Sequence, residues 1–155
     1  MPNTYTQIYI QIVFAVLGRQ SLIRRDCKEE LHKYVTGIIQ NRPQKLIIIN
    51  SMPDHAHILV GLKPDIALSD LVRDVKAISS KFINAKRWVT GKFFWQEGFG
   101  AFSYSHAELD NVIHYIQNQQ AHHVRKSFKH EYLEMLRRSN VEFDTKYLFE
   151  WITND

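Results

Sequence analysis

Two apolar runs, "KLIIIN" (45–50) and "HAHILVGL" (55–62), are separated only by "SMPD". Strand-like runs this close pair as an antiparallel hairpin, because a parallel return needs a crossover of a dozen or more residues. Neither run alternates polar with apolar, so the hairpin is expected near the centre of its sheet.

The flanking segments supply the other elements. "YTQIYIQIVFAVL" (5–17) is rich in β-branched and aromatic residues and predicts a long first strand. Residues 26–40 carry an acidic first turn and then Leu31, Tyr34, Val35 and Ile38 at helical spacing, before "RPQ" ends the helix. A second helix is expected from Ser69 as its cap to about Trp88, with Val72, Val75, Ile78, Phe82, Ala85 and Val89 inward. "FFWQEGFGAFSYS" (93–105) predicts an irregular strand whose glycines mark a bulge or a close approach of backbone. Ser105 and Glu108 form a capping box for a helix from about His106 to His122, and a last helix spans about 127–138. The order β-α-β-β-α-β plus two helices predicts an α+β fold, a ferredoxin-like sandwich whose antiparallel sheet carries the first two helices on one face. No repeat or linker divides the chain, so residues 1–155 read as one domain, its core at about 5–125 and a C-terminal helix and tail at about 127–155.

Composition narrows the chemistry. A single cysteine, Cys27, excludes an internal disulfide and a multi-thiolate zinc site within one chain. No run reaches the length of a membrane span and the N-terminus lacks the layout of a signal peptide, so a cytoplasmic protein is expected. The net charge of +4 is unevenly spread. Residues 71–92 hold six Lys or Arg against one acid, whereas residues 141–155 hold four acids against one lysine. The basic segment fits either a polyanion partner or a solvated helix face.

Within the central hairpin, His55 and His57 stand two residues apart on a strand and project from the same face, opposite Ala56 and Ile58. Two neutral imidazoles on a rigid backbone can hold a metal, and isoleucine or valine would pack there at lower cost. On the helix from 106, Leu109, Val112, Ile113 and Ile116 make the apolar stripe. Tyr115 lies off it, sharing a face with Asn111, Asn118, Gln119 and His122. Alone, each pattern fits a packing role as well, a satisfied core histidine and a surface or interface tyrosine; together they suggest metal ligands facing a tyrosine nucleophile.

"MPDHAHILV", "KAISSKFIN", "FWQEGFGAFSYS" and "YIQNQ", in that order over about residues 5–125, resemble the single-tyrosine HUH transposases of the insertion-sequence two-hundred type. HUH denotes two histidines around a hydrophobic residue. The resemblance implies that His55 and His57 bind a divalent metal, with Gln119 one turn beyond Tyr115 completing the site. It implies that Tyr115 attacks a phosphodiester of single-stranded DNA beside a hairpin. It also implies a homodimer in which the tyrosine of one subunit serves the histidines of the other. Strands would be nicked and rejoined through a 5′-phosphotyrosine, with Mg2+ or Mn2+ as the metal suited to nitrogen and oxygen ligands in the cell. Asp54 can orient a histidine or serve as a turn residue.

Lys76, Ser80 and Lys81 on the basic helix are candidate DNA contacts, and Trp95, Phe99, Phe102 and Tyr104 can stack on bases or fill the core. The alternatives are a domesticated single-strand nickase and a non-catalytic nucleic-acid binder on a ferredoxin-like sheet. The binder leaves the joint presence of His55, His57, Tyr115 and Gln119 unexplained.

Overall fold

The computed structural model of the chain describes residues 3–152. β1 (Tyr9–Ala15) leads through two short 3-10 turns into α1 (Lys28–Asn41). β2 (Lys45–Met52) and β3 (His55–Gly61) follow as the expected hairpin, with Met52 opposite His55 and only Pro53 and Asp54 in the turn. Then come α2 (Leu68–Lys86), β4 (Gly100–Tyr104), α3 (Leu109–Gln117), α4 (Gln119–Arg125) and α5 (Phe128–Arg138). The strands are ordered β2-β3-β1-β4 and every neighbouring pair is antiparallel, so only β3 of the hairpin is central as expected and β2 lies at the edge. This is the ferredoxin-like βαββαβ arrangement with added C-terminal helices. β3 is paired on both sides, so the backbone that carries His55 and His57 is held by two ladders.

Alternation across the sheet separates two jobs. Ala56, Ile58 and Val60 belong to the main core with Leu31, Val35 and Ile39 of α1 and Leu71, Val72 and Val75 of α2. Leu59 faces the other way and packs with Val112 and Ile116 of α3. The second face is therefore covered too, by the three later helices.

Several boundaries differ from the sequence expectation, each for a local reason. The first strand begins at Tyr9 rather than residue 5. Only Gly100–Tyr104 of the segment 93–105 forms a ladder. Upstream of it, Trp95 meets Val16 in an isolated bridge and Gly98 takes a positive φ of 83°. α2 starts at Leu68 behind Ala67, so Ser69 lies in its first turn and does not cap it. On α2 the buried set is Leu71, Val72, Val75, Ser79 and Ile83, while Ala85 is exposed and Phe82 stacks on Tyr34 at 3.8 Å. The capping box at Ser105 and Glu108 is present. The helix after it stops at Gln117, however, and restarts at Gln119. Asn50 of β2 explains the break: its Nδ2 donates to the carbonyl of Ile116 at 2.7 Å and of Gln117 at 3.3 Å. A sheet side chain thus takes the place of the next helical N–H.

α5 docks on the second face through Phe128, Tyr132, Met135 and Leu136. Gly100 makes room for it, since a Cβ there would stand 2.6 Å from the Tyr132 hydroxyl and 2.7 Å from its ring. Gly100→Ala is expected to lower stability by about 1–3 kcal/mol through overpacking. Gly37→Ala on α1, with nothing within 4 Å of the new methyl, should be neutral or stabilising. Urea denaturation distinguishes the two. An unchanged midpoint for Gly100→Ala would show that Tyr132 does not fix α5 against β4. Among the described residues, no helix is long and apolar enough to cross a membrane.

Candidate active site

His55 and His57 are fully buried on the face of β3 that the later helices cover. Their neighbours come from both ends of the chain. Asp54 accepts from Nδ1 of His55 at 2.7 Å, and Gln11 of β1 donates from Nε2 to Nδ1 of His57 at 2.9 Å. The hydroxyl of Tyr104 in turn donates to the Gln11 amide oxygen at 3.0 Å. Each imidazole is thereby oriented through Nδ1 and directs Nε2 at the same point.

That point is Glu131 of α5, whose side chain is 1% exposed. Its Oε1 lies 3.0 Å from Nε2 of His57, 3.3 Å from Nε2 of His55 and 3.1 Å from Nε2 of His123. Its Oε2 accepts from Nε2 of Gln119 at 2.9 Å and from the hydroxyl of Tyr115. The Gln119 amide oxygen lies 3.2 Å from Nε2 of His55. The Tyr115 ring lies edge-on to His57 and stacks on His122 at 4.6 Å between centroids. His55 stacks on Phe128 of α5 at 3.9 Å. The structure therefore brings His55, His57, Tyr115 and Gln119 together within one chain.

The electrostatics follow from a carboxylate set among imidazoles. Burial works to raise the Glu131 carboxyl, but the charge of His57 and hydrogen bonds from His123, His55 and His57 outweigh it and hold Glu131 well below the usual carboxylate range. Burial also opposes a charge on His55, yet Asp54 and Glu131 overcome it and carry His55 up to about 9. For His57 burial prevails, and its pKa is lowered. Burial and the charge of Glu131 push the Tyr115 phenol above its ordinary range. Without added positive charge, Tyr115 is a protonated donor rather than a nucleophile.

The donor set fits a divalent metal. One ligand atom each from His55, His57 and Glu131 lie within 4.8 Å of one another, and all three residues are buried. Two imidazole nitrogens and a carboxylate oxygen match borderline and hard divalent ions. Turning the Gln11 amide over would let it accept from His57 Nδ1–H and donate to Tyr104, freeing His57 Nε2 as a ligand.

The family described as "Transposase IS200 like" matches residues 4–119. The chain belongs to this family. Among solved structures, a candidate transposase from Deinococcus radiodurans R1 is 20% identical, covering 76% of this chain and 94% of its own with a TM-score of 0.58. A REP-associated tyrosine transposase bound to a REP hairpin is 14% identical, covering 99% of this chain and 96% of its own with a TM-score of 0.61. At such identities the two likenesses speak for the fold, and the second extends over the C-terminal helices of this IS200-like chain. No curated protein matches the chain.

In this transposase-family chain, Glu131 is the residue the sequence motifs did not reveal. A signal was available, because Phe128, Glu131, Tyr132, Met135 and Leu136 form one helical stripe in which Glu131 is the only charged member. A carboxylate on an apolar stripe needs a buried partner. The outward-facing Tyr115 expected from its helix position is corrected likewise: α5 of the same chain covers it. Lys76 is half-buried, donating to the carbonyls of Gln96 at 2.8 Å and of Gly98, over the Phe14 ring. Burial lowers its pKa to about 8. Ser80 donates to the carbonyl of Ala77 at 3.1 Å, and Lys81 is exposed. These three do not gather at the histidine cluster. Phe102 is buried, and Trp95 packs on Phe14 and Phe93.

Proposed function

We infer that this chain is a metal-assisted tyrosine nuclease and strand transferase, which nicks and rejoins single-stranded DNA beside hairpins as a transposase of its family. The observation that carries the reading is the shared carboxylate: Tyr115 from α3 and the Nε2 atoms of His55 and His57 from β3 converge on Glu131 of α5. A purely structural cluster has no need of a phenol and two histidines at one buried point.

In the proposed reaction the Tyr115 oxygen attacks a backbone phosphorus and the bond to the 3′ oxygen breaks. The products are a 5′-phosphotyrosine and a free 3′-hydroxyl, and the phenolic proton balances the one gained by the leaving oxygen. A 3′-hydroxyl attacking the phosphotyrosine reverses the step, so rejoining needs no external energy source. Glu131 holds the phenol in place through Oε2, while Asp54 and Gln11 fix the two imidazoles. His55, His57, Glu131 and Gln119 would hold the divalent ion, Mg2+ or Mn2+, which when bound supplies positive charge to a phosphate oxygen and to the phenolate. The hairpin-bound state of the REP-associated structure supports hairpin DNA as the substrate, which the chain would meet on the nucleoid in the cytoplasm.

The family resemblance implies a homodimer with the tyrosine in trans, but the geometry of this chain favours the cis site. The test is a single strand with one hairpin, labelled at its 3′ end and incubated with protein and Mg2+. A label that migrates with the protein after denaturation, and vanishes with EDTA, is the expected result. The paired duplex should give less than about a tenth of that signal. Equal yields from duplex and single strand would refute the single-strand reading, and binding without any adduct would favour the non-catalytic alternative.

A further inference from the structure

The β2–β3 turn that leads into His55 stands between two cavities that share Met52 and Pro53. The first, about 560 Å3, is bounded by Arg24, Arg25, Lys28 and His32 with the acids Asp26 and Glu29 on one side, and by Asn50, Ser51 and Gln120 on the other, where the Gln120 amide, turned over, accepts from Arg25 at 3.2 Å. The second, about 410 Å3, reaches Asp54 and His123, both in contact with His55 or its partners, and is bounded by Arg19, Arg125 and Lys126. Both volumes lie within the range of about 300–1,000 Å3 typical of small-ligand sites.

The charge around the turn is positive in balance, with Arg24, Arg25, Lys28, Arg19, Arg125 and Lys126 set against Asp26, Glu29 and Asp54, and it is partly uncommitted. Arg24 pairs with Asp26 at 3.4 Å, Lys126 pairs with Glu134, and Arg19 donates to the carbonyl of Ile152 at 3.0 Å. Among the described residues, no carboxylate forms an ion pair with Arg25, Lys28 or Arg125. Burial lowers the pKa of Lys28, with Arg25 adding to the effect, so an anion placed between them would relieve a repulsion already present. The floor of the first cavity carries neutral polar groups suited to a base edge: Nε2 of His32 lies 2.8 Å from the Ser51 hydroxyl, and burial followed by the charge of Lys28 lowers His32 to about 4. The basic α2 borders a smaller cavity of about 280 Å3, lined by Arg73, Lys76, Ser80 and Glu97 and by none of the histidine-cluster residues.

We propose that the single strand reaches the tyrosine site over the Met52–Asp54 turn, with one phosphate held by Arg25 and Lys28 in the first cavity and another by Arg125 in the second. This inference rests on the nuclease reading and gives it a path. The first cavity takes an unpaired nucleotide against Met52, Pro53 and the polar floor. The second passes the adjoining phosphate toward Asp54 and His123, which line it and contact His55 and Glu131. The chain is thus an approach surface for single-stranded DNA at this turn rather than along α2.

The test uses the full chain carrying Tyr115→Phe, so that binding is read without cleavage, and a fluorescein-labelled 20-nucleotide single strand with one hairpin. Arg25→Glu/Arg125→Glu should weaken binding at least tenfold. Loss of two phosphate contacts should also flatten the slope of log affinity against log salt by about 1.4. Lys45→Glu/Lys63→Glu, the same charge change near the opposite end of the sheet, should stay within about twofold of the parent, because salt screens exposed charges beyond about 10 Å. Arg25→Ala/Arg125→Ala, with thermal melting as a folding check, should follow the Glu variant in reduced measure. Equal loss in the turn and control variants, no loss in either, or equally strong competition by a paired duplex would each overturn the path. In the chain that retains Tyr115, adduct formation is scored separately. An adduct together with unimpaired binding by the turn variants rejects the path alone, whereas specific loss of binding without any adduct rejects the nuclease reading alone.

Discussion

Tyr115→Phe should bind its hairpin strand as the parent does, yet form no covalent adduct and cleave more slowly by on the order of 10^4-fold or more, as when other nucleophiles are removed. The ring is retained, so the stack on His122 at 4.6 Å and the edge contact with His57 remain. Only the hydroxyl that donates to Glu131 is lost. Denaturing gels with a 3′-labelled strand give the result directly, and an adduct of undiminished yield would move the nucleophile elsewhere. The same variant addresses subunit geometry. Because Tyr115 and His57 meet in one chain, mixing Tyr115→Phe with His57→Ala under conditions of subunit exchange should restore no cleavage. Recovery would mean that α3 leaves Glu131 to serve a second chain, the trans arrangement that the family resemblance implies.

His55→Ala/His57→Ala should abolish cleavage in Mg2+ and in Mn2+, and it should also destabilise the chain. Sequence alone suggests that the fold would survive the change largely intact. The structure alters that expectation, because Glu131 is a buried carboxylate that would lose two of its three imidazole partners and keep only His123, Gln119 and Tyr115. Removing one side of a buried charged pair costs about 3–5 kcal/mol. Adding Glu131→Gln removes the stranded charge, so the triple variant should regain much of the stability and none of the cleavage. Urea denaturation measures the first effect and strand cleavage the second. A double variant that is as stable as the parent would show that Glu131 is solvated or protonated when the histidines are gone, and one that still cuts at the parent rate would end the metal assignment.

The sequence by itself determined the sheet and the placement of the histidines on it. The short "SMPD" connection forces a hairpin, and the two-residue period of a strand puts His55 and His57 on one face, both regardless of what packs above them. The capping box at Ser105 and Glu108 was legible for the same reason: its hydrogen bonds span three residues. The tertiary structure decided what needs contacts between distant parts of the chain. Asn50 ends α3 from a strand 66 residues away, so helical periodicity alone extends that helix too far. Glu131 reaches His57 from 74 residues away, on a helix outside the recognised motifs. Tyr115 reads as an outward phenol on its own helix and becomes half-buried only because α5 folds back over it. Periodicity says which residues share a face. Which distant element covers that face is settled by the burial of Phe128, Tyr132, Met135 and Leu136 against the sheet, and that docking carries Glu131 into the site.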